Sequence, residues 1–181
     1  MPGKECPPQP LDRKEISRSG KFLIGLVAFF VLLNLLFSLI PLEWVEFVFA
    51  FLTSLIFSVF GAQNELVYGE PVIILLHNFP LPISISYLCT GLLELSIIVA
   101  AVAASFGIKI EKRIAGIIAA TATIFAFNLT RIVLSIGIIL LFGLEIGELS
   151  HEVLFRIFLF LVIAGFYFIW FNWATKGEQK N

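Results

Sequence analysis

Long apolar runs separated by short polar segments make up most of the chain. The runs cover residues 22–40, 43–60, 88–106, 114–142 and 153–174. Each is close to or above the roughly 20 residues that a helix needs to cross the hydrocarbon core of a bilayer. The pattern therefore predicts an all-α integral membrane protein, a bundle of four to five transmembrane helices.

One long segment between the runs, residues 62–88, breaks the apolar pattern with a glycine and three prolines. Glycine and proline are the strongest local breakers of helices and strands. Within the segment, Pro82 to Tyr87 alternate between apolar and polar residues as a short strand does. We expect an extracytoplasmic loop that contains one strand-like stretch.

Positive charge predicts the topology. Residues 1–21 and the loop 107–113 carry the densest basic clusters, so both are expected in the cytoplasm. An even number of crossings must then separate them, which makes the stretch 43–60 interfacial or re-entrant. Five full spans with one violation of the charge rule is the alternative. The chain divides into a cytoplasmic leader up to residue 21, a single transmembrane domain at 22–175 and a cytoplasmic tail at 176–181.

Composition agrees with this interpretation and excludes several functions. The chain is 59% hydrophobic and 14% charged, with a mean hydropathy of +1.01. A chain of 181 residues cannot bury so much apolar surface in one core, so a multi-pass location in the cell membrane is expected. The net charge of -1 and the absence of a basic stripe argue against a nucleic-acid partner. Two cysteines, Cys6 and Cys89, provide no disulfide framework and no metal-ligand spacing, so no metal or cofactor is expected and Cys6 is expected to be inert.

Ionisable residues inside spans are costly and suggest function. Cys89 begins the third run, where a helix N-terminus stabilises a thiolate. Arg131 lies about 25 Å along a helix that crosses ~30 Å of hydrocarbon, which places it in the outer half. His151 precedes the last run. These three residues are therefore predicted at one depth near the outer surface.

The residue types at this depth suit acyl transfer. A thiolate attacks an amide, a histidine takes and returns the proton, and a cation stabilises the thiolate and the oxyanion. Asn128, Arg131 and Ser135 are spaced to form one polar stripe, which must face the interior of the bundle. We expect Asn128 to orient Arg131.

At these residues the chain resembles the exosortase/archaeosortase family of membrane transpeptidases, in particular its compact archaeal branch. The family has a Cys-Ser-Gly-like motif, an Asn-x-x-Arg motif in the next span, and a His or Arg before the last span. Here these are Cys89-Thr90-Gly91, Asn128-Leu129-Thr130-Arg131 and His151. The resemblance covers about half of the chain. It departs from the family pattern at Thr90, and Arg156 leaves the third catalytic position open between itself and His151.

The resemblance implies a cysteine peptidase that acts on secreted proteins. Its substrates would carry a C-terminal sorting signal made of a short motif, a transmembrane helix and a basic tail. Cys89 would be the nucleophile, Arg131 the electrostatic stabiliser and His151 the general base and then acid, with Thr90, Gly91, Asn128, Glu94 and Arg156 in supporting roles. The new chain end would be joined to a lipid amine, at a site that faces the extracytoplasmic side.

Other interpretations stay open. Cys89 alone would be an ordinary core residue. Arg131 can form an ion pair with Glu94, His151 can cap the last helix, and His77 in the outer loop is a rival base. A small transporter or channel subunit lined by Glu94 and Arg131 is a second function, and a non-catalytic assembly factor is a third, although no inverted repeat supports transport. Asn34 in the first run is expected to be a helix-packing contact.

Overall fold

The computed structural model describes residues 13–77, 79 and 81–176. Cys6, most of the predicted leader and the tail after Lys176 lie outside the described residues. The described part is mainly helical, as predicted. The helices are α1 (Arg13–Phe37), α2 (Leu42–Val59), α3 (Leu92–Ala103), α4 (Ile110–Phe142), α5 (Leu144–Leu149) and α6 (Phe155–Thr175), with a 3₁₀-helix at Tyr87–Cys89 and a π-helix at Ser150–Leu154.

Four helices in the described residues, α1, α2, α4 and α6, are long and apolar enough to cross a membrane. This supports the prediction of a membrane protein. Helix α3 is different, because only 12 of the residues predicted for the third run are α-helical. Such a helix is about 18 Å long, well short of the ~30 Å of hydrocarbon. The turn that precedes α3 lies beside the interior of α4, because the carbonyl of Cys89 accepts a hydrogen bond from Arg131.

The segment predicted as a loop instead forms a three-stranded antiparallel sheet. The strand-like stretch contains strand β3 (Ile83–Ile85), as the alternation predicts, but β1 (Asn64–Val67) and β2 (Val72–Leu76) were missed. The strands lie in the order β1-β2-β3, with Asn64 opposite Leu76 and Val72 opposite Ile85. Alternate side chains of β2 are buried because this central strand presents one face to the protein core.

Helix α2 lies along this sheet. Near the end of α2, Ser54 donates a hydrogen bond to the side chain of Asn64, whose amide contacts Ser58 at 3.0 Å. At the start of α2, Tyr68 donates to Glu43 at 3.1 Å. The same Glu43 raises the pKa of Glu70, by a side-chain hydrogen bond and by its charge. The two ends of α2 are thus fastened to the two ends of strand β1.

The open edges of the sheet help to decide whether α2 crosses the bilayer. A three-stranded sheet has two open edges, and unpaired backbone groups of an edge strand are not tolerated in lipid. Since α2 is held against the sheet along its length, the two form one unit at a common depth. The packing therefore favours α2 at a membrane surface, although its length and composition would allow a span.

Three apolar clusters hold the elements together. One joins α2 and the sheet to the later part of α4, through residues such as Phe49, Ile74 and Ile132. A second joins α3, α4 and α6 around Ile98 and Ile124. The third lies at the other end of the bundle, where the indole of Trp170 donates to the carbonyl of Lys112 at 3.1 Å. Helix α4 contributes buried residues to the first two clusters and packs against the third, so it is the central element of the bundle.

Cysteine labelling tests the placement of α2 and the sheet. In a chain with both native cysteines replaced by serine, we expect Ser84→Cys to react with a membrane-impermeant maleimide in intact cells. Glu111→Cys, at the start of α4, should react only after permeabilisation, because the basic loop beside it is cytoplasmic. The reverse pattern, with Glu111→Cys labelled from outside and Ser84→Cys protected, would establish five spans instead.

Candidate active site

Five of the eight residues selected from the sequence line one cavity of about 360 Å³, whereas Thr90, Gly91 and Asn128 do not. Cys89, Arg131 and His151 come from the 3₁₀-helix, α4 and the π-helix, which are far apart in the chain. Glu94 of α3 and Arg156 of α6 also line it. The complete lining is Ser86, Leu88, Cys89, Glu94, Arg131, His151, Arg156 and Leu159. The predicted common depth of the thiol, guanidinium and imidazole is therefore matched by a shared cavity.

Cys89 is the last residue of the 3₁₀-helix and does not lie in α3. It was expected to begin the third span, but α3 starts only at Leu92. The backbone N–H of Cys89 donates to Ser86 at 2.8 Å, and the hydroxyl of Thr90 donates to the carbonyl of Tyr87 at 2.6 Å. A serine hydroxyl at position 90 could make the same bond. The turn holds a free, partly exposed thiol at the cavity wall.

The backbone conformation and surroundings of Gly91 explain why glycine occupies the third position of the Cys-Thr-Gly segment. Its φ of +76° lies in the left-handed region that glycine adopts without strain. A Cβ atom at this position would lie 2.1 Å from Nδ2 of Asn128. Only glycine therefore allows the turn to approach α4 so closely, and the contact fixes the position of Cys89 relative to that helix.

The polar stripe of α4 faces the interior, as predicted. Asn128, Arg131 and Ser135 are all buried. Nη2 of Arg131 donates to the backbone carbonyl of Cys89 at 3.3 Å, so the guanidinium is tied to the residue that carries the thiol. The expected role of Asn128 was wrong in its detail. Its amide donates to Ile124 within α4 at 2.9 Å and packs on Gly91, so it positions the turn and not the guanidinium.

His151 is joined to the same stripe through Ser135. Nδ1 of His151 lies 3.2 Å from Oγ of Ser135. The single hydroxyl hydrogen of Ser135 is donated to the carbonyl of Arg131 at 2.8 Å, so Oγ acts as the acceptor toward the imidazole. The neutral ring then carries its proton on Nδ1 and its lone pair on Nε2. The π-helix that holds His151 is a rare element often found at functional sites.

Glu94 and Arg131 line the cavity without forming an ion pair. Within the described part of the chain, Oε2 of Glu94 is buried without a hydrogen-bond partner, and so is Nε of Arg131. The alternative in which Arg131 merely neutralises Glu94 is therefore wrong for this structure. Arg156 is exposed in the first turn of α6. His77, the rival base, is exposed at the end of β2 and does not line the cavity.

Sequence reasoning missed Ser86 at this cavity and the contact between Ser135 and His151. Ser86 lies 3.7 Å from the thiol, measured from Oγ to Sγ, and precedes the turn directly. The alternation of residues 82–87 includes Ser86 but gives no sign of a contact with Cys89. The spacing of Ser135 from Asn128 placed it on the buried face of α4 but did not identify His151 as its partner.

Comparisons of the chain with family models, with curated proteins and with solved structures found no significant match.

Replacing Gly91 by alanine tests the close contact with α4. The left-handed backbone and the overlap with Asn128 should together cost about 2 kcal/mol. We expect Gly91→Ala to melt several degrees lower than the wild type in detergent. Asn128→Ala in the same chain should recover part of the loss, because it removes the overlapping amide.

Gly137 provides the matched control, since it lies within α4 and has nothing within 4 Å of its Cβ position. Gly137→Ala should be neutral or slightly stabilising, because alanine is the better helix former. Equal melting temperatures for Gly91→Ala and the wild type would contradict the proposed packing.

Proposed function

We propose that this protein is a cysteine-dependent membrane transpeptidase that cleaves C-terminal sorting signals of secreted proteins and transfers the new chain end to an acceptor amine. One observation carries the proposal, namely the convergence of Cys89, Arg131 and His151 on one cavity from three separate segments. The order of these residues along the chain also matches the motifs of the exosortase/archaeosortase family that the sequence resembles.

The first half-reaction forms a thioester. Nε2 of His151 takes the thiol proton, and Sγ of Cys89 attacks the carbonyl carbon of the scissile peptide bond. The C–N bond then breaks, and the proton held by His151 passes to the departing amine. The released fragment is the transmembrane helix of the signal with its basic tail.

Arg131 supplies the positive charge that this step needs. One of its nitrogens holds the carbonyl of Cys89, while Nε has no partner among the described residues. A buried guanidinium with donor capacity to spare stabilises negative charge on the thiolate and on the tetrahedral oxyanion. Ser135 fixes the tautomer of His151, so the base and the cation are held by neighbouring turns of one helix.

The second half-reaction resolves the thioester with an amine. Leu88 and Leu159 in the cavity wall limit the water that reaches the acyl group. A partly dehydrated site favours aminolysis over hydrolysis. The turn before the short α3, held against α4, accounts for such a site, which we place on the extracytoplasmic side of the cell membrane.

Replacing the nucleophile tests the proposal. The protein is expressed with a secreted reporter that carries a motif, a span and a basic tail taken from the same genome. We expect Cys89→Ala and Cys89→Ser to abolish release of the tail, because neither side chain supplies a thiolate. Cys6→Ala serves as the control and should process the reporter at the wild-type rate, as measured by immunoblot.

Unchanged processing in both Cys89 variants would refute the enzyme. The second candidate function is transport along a polar path that contains Glu94 and Arg131, which is favoured by their position in one cavity. That function requires Cys89→Ala to be harmless and Glu94→Gln to be inactive.

A comparison of His151→Ala with Arg156→Ala assigns the third catalytic position. Removal of a general base lowers the rate by roughly 10²- to 10⁴-fold. We expect such a loss for His151→Ala and a loss below about tenfold for Arg156→Ala, whose side chain is exposed at the cavity rim. Rates of tail release in detergent provide the measurement, and the opposite ranking would assign the position to Arg156.

A further inference from the structure

Glu94 lines two cavities at once. On one side it faces the cavity of Cys89, and on the other it lines a groove of about 330 Å³ between the end of α1 and the start of α3. Leu88 also lines both. The groove therefore lies beside the cavity of Cys89, and Glu94 lies at the boundary between the groove and that cavity.

The carboxylate of Glu94 is half-buried and retains acceptor capacity. Its Oε2 is buried and has no hydrogen-bond partner among the described residues. A buried carboxylate oxygen is stabilised when a cation or a hydrogen-bond donor reaches it. Arg131 and Arg156 line the same cavity, but neither forms an ion pair with Glu94 among the described residues. The carboxylate can therefore accept hydrogen bonds from a ligand.

The groove offers further acceptors for such a ligand. Asn34 of α1 lines it, and its amide nitrogen donates to Phe30 at 2.8 Å, which leaves the amide oxygen as an acceptor. Ser38 and the ring of Tyr87 complete the polar part of the wall. Asn34 was expected to be a helix-packing contact, yet it lies where it can bind a ligand together with Glu94.

The surroundings of the groove indicate the direction of entry. Leu88 and Leu93, which line it, are 62% and 50% exposed, although both are large and apolar. On a membrane protein such surfaces face lipid. A ligand that enters here arrives from the bilayer side with an apolar body and a polar head, or diffuses along the interface as a small soluble amine.

We infer that Glu94 and the groove between α1 and α3 bind the ammonium group of the primary amine that resolves the thioester, and that Glu94 removes its proton. The inference rests on the proposed transpeptidase function and assigns its second substrate to a site. An ammonium group suits the groove because it is cationic and carries several N–H donors, which match the carboxylate and the amide oxygen.

Resolution of the thioester distributes the three protons of the ammonium group among three acceptors. The carboxylate of Glu94 takes one proton from the ammonium, which becomes a nucleophilic amine. Its nitrogen attacks the thioester carbon, the new C–N bond forms, and the C–S bond breaks to release the thiolate of Cys89. A second proton passes from nitrogen to the thiolate through His151, and the amide keeps the third. Glu94 later returns its proton to solvent.

Reconstituted protein tests this inference. Wild type, Glu94→Gln and the control Glu111→Gln are placed in phosphatidylcholine vesicles, with either phosphatidylethanolamine in the bilayer or free ethanolamine in solution. Tail release and the amide product are followed separately by mass spectrometry. We expect Glu94→Gln to release the tail in the first turnover at a rate near that of the wild type, but to form the amide about a hundredfold more slowly.

Hydroxylamine distinguishes a chemical role of Glu94 from a structural one. It is uncharged at neutral pH, so it needs neither the carboxylate nor its proton transfer. We expect it to resolve the acyl-enzyme of Glu94→Gln as fast as that of the wild type. Amide formed only with phosphatidylethanolamine would identify a lipid amine, and amide formed with free ethanolamine would identify a soluble one.

Two outcomes would overturn the inference. One is an unchanged ratio of amide to released tail in Glu94→Gln, and the other is a failure of hydroxylamine to restore resolution. Asn34→Ala provides a second variant and should raise the KM for the amine without slowing tail release. If instead tail release persists in Cys89→Ala, the transpeptidase itself is refuted, which is a separate result.

Discussion

The buried polar stripe of α4 is the constraint on which the site depends. Asn128, Arg131 and Ser135 lie in an apolar helix, and lipid offers them no hydrogen-bond partners. The protein supplies several of these contacts from separate segments, since the carbonyl of Cys89 accepts from Arg131 and His151 contacts Ser135. Gly91 packs on Asn128, whose Oδ1 has no hydrogen-bond partner among the described residues. The contacts of one stripe thus gather a thiol, a guanidinium and an imidazole.

The short α3 determines where Cys89 lies relative to the neighbouring helices. Because α3 begins late and is preceded by a 3₁₀-helix, Cys89 lies beside the interior of α4. The same short helix places Glu94 between the cavity of the thiol and the lipid-facing groove. Glu94 thus forms no ion pair with either arginine of the cavity, while Arg131 donates to the backbone carbonyl of Cys89.

Much of the candidate site could be predicted from the sequence, because the position of a residue along a membrane-spanning helix predicts its depth in the bilayer. The position of Arg131 along α4 and of His151 before α6 follow from counting residues between charged boundaries. The periodicity of the stripe predicted which face of α4 is buried. The partner of Asn128 could not be predicted, because the approach of the turn depends on the left-handed backbone of Gly91 and on the space it leaves. Ser86 was missed because the alternation of residues 82–87 predicts a strand and carries no information about the turn that brings Ser86 to the thiol of Cys89.

The sequence by itself determined that the chain forms apolar helices, where the polar face of α4 lies and which residues share a depth, since hydrophobic length and helical periodicity act locally. Only the tertiary structure decided that strands β1, β2 and β3 form a sheet that holds α2, that α3 is short, and that Oε2 of Glu94 has no partner among the described residues. These features arise from contacts between segments distant in the chain, such as Ser54 with Asn64 and Asn128 with Gly91. Local propensity carries no information about such contacts, because their energy exists only once the segments have packed.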